Sequence, residues 1–283
     1  MGHKFFLVIL AFIAACIVIV SGPETSSDPA ASPADRAHED LSRFVYPSLT
    51  GIEWKAHFVM PQESLERLFG KDWIYVARFN RIDRRHVYPG MTIKVPKNMT
   101  DIRNYSPLPS RYEPAAGYPK YILVNITEQW LAAYEYGILK FSTPAATGIA
   151  GHLTPLGLFK IDARDKFHSS SLYKTSKGDA QYPMDYAVRF HIDSAHVSYW
   201  IHARDLPGRP ASHGCIGVYD EEMQHRVYGM PERPLVNDAA RLFNWVDDTG
   251  EANNETMAPI ADGPIVEIRG NLPTYLPPPI RFD

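Results

Sequence analysis

Apolar positions along this chain follow several successive patterns. Phe5 to Val20 is an unbroken apolar run behind Lys4. From Ser21 to about Asp40 the sequence turns to Pro, Ser, Ala and Asp, which can bury almost nothing, so a flexible tether is expected there. Glu63 to Phe69 has helical spacing, with Leu65, Leu68 and Phe69 on one face, and Trp73 to Phe79 carries a second apolar stripe. Val87-Tyr88-Pro89-Gly90-Met91-Thr92-Ile93-Lys94-Val95-Pro96 reads as a turn into a short strand, with Ile93 and Val95 on one face.

Beyond a proline-rich stretch from Asp101 to Pro119, short apolar runs alternate with Gly and Pro punctuation, the pattern of a β-meander. Strands are expected at Tyr121–Ile126, Leu131–Tyr136 and within His152–Ile161, with residues 138–147 leading to Gly148. Phe167 to Pro183 is polar and aromatic, with Ser169 to Ser171 in a row, and is either a lid over a cleft or a surface loop. Tyr186–His191 and Ala195–Ile201 read as strands around a turn at Asp193-Ser194. Asp220–Val227 should be helical, with acidic residues in its first turn facing the helix dipole. Asn237–Val246 is a second helix with Leu242, Phe243 and Val246 on one face. Asp247–Asp262 is a polar loop, Pro264–Ile268 a final strand, and the tail through Pro277 to Pro279 an extended surface segment.

The boundaries that follow are 1–22 for an apolar leader, 23–53 for a flexible linker and lead-in, 54–97 for a small domain, 98–119 for a linker, 120–270 for the main domain and 271–283 for a Pro-rich tail. The apolar run is slightly short for a comfortable membrane span of about 20 residues. It directs export and leaves three fates open: an uncleaved membrane anchor, a cleaved signal, or a lipoprotein acylated at Cys16, since Ile13-Ala14-Ala15-Cys16 resembles a bacterial lipobox. A net charge of −3 with no basic block argues against nucleic-acid binding.

Chemistry concentrates in His202 to Val218. The chain has 2 cysteines, and Cys16 lies in the apolar leader, so Cys215 is a lone thiol in an exported domain. Unpaired thiols are a liability outside the cytoplasm, and a nucleophile is a reason to keep one. A thiol near its ordinary pKa is only a few per cent thiolate at neutral pH, so it needs a base beside it. His202 ends a strand-like apolar run that would hold its imidazole rigidly, and the loop with Pro207, Gly208 and Pro210 can return Cys215 to it. Gly214 permits a sharp turn and close substrate approach, and the amides of Gly214 and Cys215 would face an oxyanion.

His202, then Ser212-His213-Gly214-Cys215-Ile216, resembles the catalytic motif of the L,D-transpeptidase (YkuD-type) family. Leu153-Thr154-Pro155-Leu156-Gly157-Leu158-Phe159 resembles a turn near the start of that family's domain, so the likeness runs from about Tyr121 to Gly270. The family usually carries glycine after the first histidine and arginine two residues after the cysteine; here these are Ala203 and Gly217. The resemblance implies a mainly β fold, a β-sandwich with peripheral helices. It implies Cys215 as nucleophile, His202 as base, His213 lining the donor site and Ser212 fixing the turn. The implied substrate is the tetrapeptide stem of peptidoglycan, with an amine acceptor and no cofactor or metal. Residues 54–97, through Asn80 and the closing Pro89 to Pro96, resemble a LysM module, a β-α-α-β unit that binds the glycan of peptidoglycan or chitin; structural packing is the alternative role.

Other readings remain. His191, His196, His202 and His213 raise a zinc hydrolase, but no Glu sits in a zincin-like frame and the spacing is unsuitable. A papain-like enzyme places its cysteine before its histidine, the reverse of the order here. A non-catalytic envelope protein binding peptidoglycan is kept open by Gly217, and hydrolysis by water in place of an amine by the unknown acceptor.

Overall fold

In a computed structural model of the chain, residues 39–175, 178, 180–247 and 257–276 are described. The apolar leader with Cys16, most of the expected tether and the proline tail from 277 lie outside the described residues. Among those described, no helix is long and apolar enough to cross a membrane.

The chain order begins with β1 (Phe44–Val45), β2 (Trp54–Phe58), α1 (Leu65–Phe69), α2 (Trp73–Asn80) and β3 (Thr92–Pro96). Then follow β4 (Tyr121–Asn125), β5 (Trp130–Glu135), β6 (Ile138–Ala146), β7 (Gly157–Lys160), β8 (Ala163–Lys174), β9 (Gln181–Ile192), β10 (Ser198–Arg204) and β11 (Ile216–Tyr219). Helices α3 (Glu221–Tyr228) and α4 (Asp238–Val246) precede β12 (Ala258–Pro259), β13 (Ile265–Arg269) and β14 (Thr274–Tyr275). One 10-stranded sheet runs in the order β12-β8-β9-β10-β11-β6-β5-β4-β13-β7.

That sheet folds over its own apolar face. Strand β6 pairs with β5 through Pro144 and with β11 through Ala145 and Ala146, so it belongs to both halves. Ile122, Val124, Leu131 and Val266 of one half share a core with Val188, Ile201, Ile216 and Val218 of the other. Phe159 of β7 meets Phe190 of β9 with ring centroids 5.5 Å apart. Helix α4 adds Ala239, Leu242, Phe243 and Val246 to the same core. Asp220 caps α3, accepting a hydrogen bond from Met223 N, which satisfies one of the orphan amides of the helix start.

The region expected to be a linker at 98–119 is a layer of the fold. Tyr121 to Val124 is buried on both faces, and the face turned from the main core is covered by Leu108, Tyr112 and Ala115. This is why that strand reads as a continuous apolar run rather than an alternating one. The lead-in is likewise packed from residue 39 onward: Leu41, Tyr46 and Leu49 are buried. Strand β1 pairs with β14, which ties the lead-in to the start of the tail. Within the Phe167–Pro183 stretch, expected to be a lid or a surface loop, Phe167 to Lys174 and Gln181 to Pro183 are the ends of the long paired strands β8 and β9.

Residues 54–96 have the order strand, helix, helix, strand, with β2 and β3 antiparallel. They do not stand apart. Their core of Val76, Phe79, Ile82 and Ile93 continues into Ala146, Leu206, Tyr219 and Val236. Arg78 Nη2 donates to Oδ1 and Oδ2 of Asp238 at 2.8 and 2.7 Å.

Asp83 is the tightest of these joints, being fully buried. Its Oδ1 accepts from the N–H groups of Arg85 and His86, and its Oδ2 accepts from Leu206 N at 2.7 Å and Gln224 Nε2 at 3.0 Å. Asp83 N in turn donates to Leu206 O at 2.8 Å. Burial alone would push the His86 imidazole down, but the Asp83 carboxylate outweighs it and raises it to about 9. Asp83→Ala would strand buried donors, so a loss of about 3 kcal/mol is expected. Urea unfolding at neutral pH measures it; an unchanged midpoint would show that the joint contributes nothing.

Candidate active site

Strands β10 and β11 are parallel neighbours with Ile201 opposite Ile216, His202 opposite Gly217 and Ala203 opposite Val218. Ile201, Ala203, Ile216 and Val218 enter the main core. Because side chains alternate across a strand, His202 and Arg204 on one strand and Cys215, Gly217 and Tyr219 on the other share the opposite face. Cys215 directly precedes β11, and its side chain packs against the cluster of Ala163, Met184, Ala187 and Trp200. The parallel register therefore sets the strand that ends in His202 and Arg204 beside the strand that follows Cys215.

His202 is 2% exposed. Its Nδ1 lies 2.8 Å from Ala203 O. A carbonyl can only accept, so Nδ1 carries the proton and Nε2 keeps its lone pair. Burial pushes the imidazole down to about 3, against that carbonyl bond, and Arg204 and His168 push it the same way. His202 is neutral at working pH. The Cys215 thiol is pushed up by burial, only partly offset by a backbone hydrogen bond from Trp200 and the charge of Arg204. The resting pair is thus thiol and imidazole rather than an ion pair. Ala203, where the family motif has glycine, fits because its methyl enters the core while its carbonyl orients the ring.

The turn before Cys215 is built by Ser212. Its Oγ donates to Cys215 O at 2.5 Å and accepts from Gly214 N at 3.1 Å. The Gly214 amide is therefore hydrogen-bonded within the turn. Gly214 has φ 112, and a Cβ there would lie 2.6 Å from the Tyr199 ring, so glycine is required. The turn is stitched to the preceding loop: Ala211 N and Ser212 N donate to Thr147 O, and Ile149 N donates to Ser212 O.

His213 lies half-buried at the mouth of the site. Its ring stacks on Tyr173 at 4.6 Å and meets His152 edge-on at 4.6 Å. Tyr173 comes from the β8–β9 hairpin, so that hairpin covers the cysteine turn. The sequence reading missed Tyr173, Tyr199, His152, Trp200 and Arg204. Their signal was weak, since Tyr173, Tyr199, Trp200 and Arg204 lie on strand faces whose neighbours only the register defines, and His152 lies in a loop.

His191 packs against Phe159 and Tyr199, and His196 sits in the β9–β10 turn at φ 62. The four histidines do not converge. Among the described residues no group of three or more His, Cys, Asp or Glu side chains is placed to hold a metal ion.

Gly217 faces Arg204 closely. A Cβ at 217 would lie 2.4 Å from Arg204 Cδ and 2.6 Å from its Cβ. Arg204 is 9% exposed, and its Nη2 donates to Ala211 O at 2.6 Å.

A family model described as YkuD, L,D-transpeptidase catalytic domain, matches residues 119–268. Solved structures are also similar. An L,D-transpeptidase from Xylanimonas cellulosilytica is 20% identical over 69% of this chain and 78% of that one, with a TM-score of 0.40. One from Stackebrandtia nassauensis is 19% identical over 72% of this chain and 69% of that one, with a TM-score of 0.38. L,D-transpeptidase 1 of Mycobacterium tuberculosis is 19% identical over 54% of this chain and 62% of its own, with a TM-score of 0.33, so the chain spans less than two thirds of that enzyme's length. No curated protein matches.

Proposed function

Because the chain belongs to the YkuD family of L,D-transpeptidase catalytic domains, we propose that it is a cysteine-dependent L,D-transpeptidase acting on peptidoglycan stem peptides. The observation that supports the reading is a buried His202, its Nδ1 held by Ala203 O so that Nε2 is the acceptor, on a strand paired in parallel with the one that Cys215 leads into.

The reaction runs in two halves. His202 Nε2 takes the thiol proton as Sγ attacks the carbonyl carbon of the diamino acid at position three of the stem. The Cys215 amide, rather than that of Gly214, donates to the oxyanion. The C–N bond to D-alanine breaks, and the imidazolium returns its proton to the departing amine, leaving a thioester. An amine acceptor then attacks the thioester carbonyl and the thiol is regenerated. Water in the acceptor's place would give L,D-carboxypeptidase activity. The steps call for no cofactor or metal.

The apolar run Phe5 to Val20 supports export to the cell envelope, anchored by that segment or through acylated Cys16. The strand-helix-helix-strand order of 54–96 supports a LysM-like role in binding glycan.

Mass spectrometry of muropeptides tests the reading. A soluble chain beginning at residue 23, incubated with disaccharide tetrapeptides, should release D-alanine and form cross-linked dimers. Tripeptides without dimers would assign the hydrolytic reaction; neither product, with no covalent adduct, would overturn the enzyme.

A further inference from the structure

We infer that Arg204 is a positioning residue of this site, supplying from β10 the positive charge and the packing for which Gly217 on β11 leaves room. The inference rests on the reading of Cys215 as nucleophile. Its ground is steric and positional. Arg204 and Gly217 share the face that carries Cys215 and His202. The Arg204 stem fills the volume above Gly217, with contacts from Cβ to Cδ that any side chain at 217 would violate. The two positions are therefore mutually exclusive: one of them carries a long side chain on this face and the other must be glycine or leave the space. The family's motif puts arginine at the position of Gly217; this chain puts it one strand over.

The guanidinium end has a defined task. Nη2 donates to Ala211 O, the residue that opens the Ser212-His213-Gly214-Cys215 turn. Arg204 thus spans from the strand of the base to the turn of the nucleophile and fixes one against the other. Its Cζ lies 5.6 Å from the Tyr182 ring centroid, and that ring stands edge-on to His202. Besides the proposed base His202, the groups that act electrostatically on the thiol are the Trp200 backbone and Arg204 from β10, Tyr173 from β8 and Tyr199 from β10. Arg204 is the charged one among them, and its field favours thiolate over thiol.

The test reads the thiol directly and needs no substrate. Alkylation of Cys215 by iodoacetamide is followed by peptide mass spectrometry across pH 6 to 10, roughly the range in which a thiol titrates, with thermal melts for each variant. Arg204→Gln is expected to slow alkylation near neutral pH about tenfold, one pH unit's worth of thiolate. Arg204→Lys should recover most of that loss by keeping the charge. Arg204→Ala combined with Gly217→Arg should restore the rate to within about threefold, while Gly217→Arg alone should lower the melting temperature through collision with Arg204. Unchanged alkylation in Arg204→Gln would overturn the inference, and so would a folded double variant that stays as slow as Arg204→Gln. Loss of D-alanine release on Cys215→Ala is a separate result. If that variant still turned over, the transpeptidase reading would fail whatever the alkylation rates, so the two failures are distinguishable.

Discussion

Cys215→Ala is expected to bring D-alanine release to background and to remove every acyl-enzyme species from the intact-mass spectrum. Removing a nucleophile of this kind typically costs about 10⁶-fold in turnover, leaving only what binding and oxyanion donors provide. No substitute is at hand. The chain's other cysteine is Cys16, in the apolar leader. Ser212, the nearest hydroxyl in the turn, is 1% exposed and committed to Cys215 O. Cys215→Ser is expected to be almost as inactive. A base that burial has weakened to about 3 takes a proton from a thiol far more readily than from a serine hydroxyl. The assay is D-alanine quantification beside intact mass after incubation with tetrapeptide. A retained thioester-sized adduct in Cys215→Ala would place the nucleophile elsewhere.

The motif and the strand pattern were legible because each is local. Tyr121 to Ile126, Asp220 to Val227 and Asn237 to Val246 were all placed within one or two residues, since apolar period and a capping aspartate are properties of a short window. What escaped depended on contacts distant in sequence. Asp101 to Pro119 looks like a linker by its prolines, yet Leu108, Tyr112 and Ala115 cover the outer face of β4 and β5. The clue lay elsewhere, in the fully apolar Tyr121 to Val124, which demanded a cover on both faces. Phe167 to Pro183 looked like a loop because its strand is partly exposed and polar; its pairing with Asp185, Met184 and Pro183 across the hairpin is invisible in composition.

The same division holds inside the site. Cys215, His202 and Ser212 could be named from one motif. The oxyanion role of Gly214 could not be decided, because it turns on where Ser212 Oγ points. Gly217 looked like the loss of a charge, but the Arg204 side chain occupies the space above it. A departure from a motif is thus read correctly only together with the strand that packs beside it.

His202→Gln is expected to leave two signatures, one kinetic and one in stability. Loss of a general base costs about 10²–10⁴-fold in kcat, while His196→Ala, a change in an exposed turn remote from the sheet face, should stay near the parent rate. The stability signature follows from burial. In the folded protein His202 takes a proton only near pH 3, whereas in the unfolded chain it does so at its ordinary value of 6.5. Between those values the unfolded state binds more protons, so stability is full above about 6.5 and falls as the pH drops towards 3. At pH 4.5 the two-unit gap below 6.5 corresponds to roughly 2–3 kcal/mol from this one group. Glutamine cannot titrate, so His202→Gln should unfold in urea with a flatter dependence between pH 7 and 4.5, even if its stability at pH 7 is lower. If the variant lost activity but kept the parent's acid sensitivity, His202 would not be the buried neutral base that the Ala203 carbonyl bond defines. If it flattened the profile but kept its activity, the proton acceptor for Cys215 would have to be sought at His213.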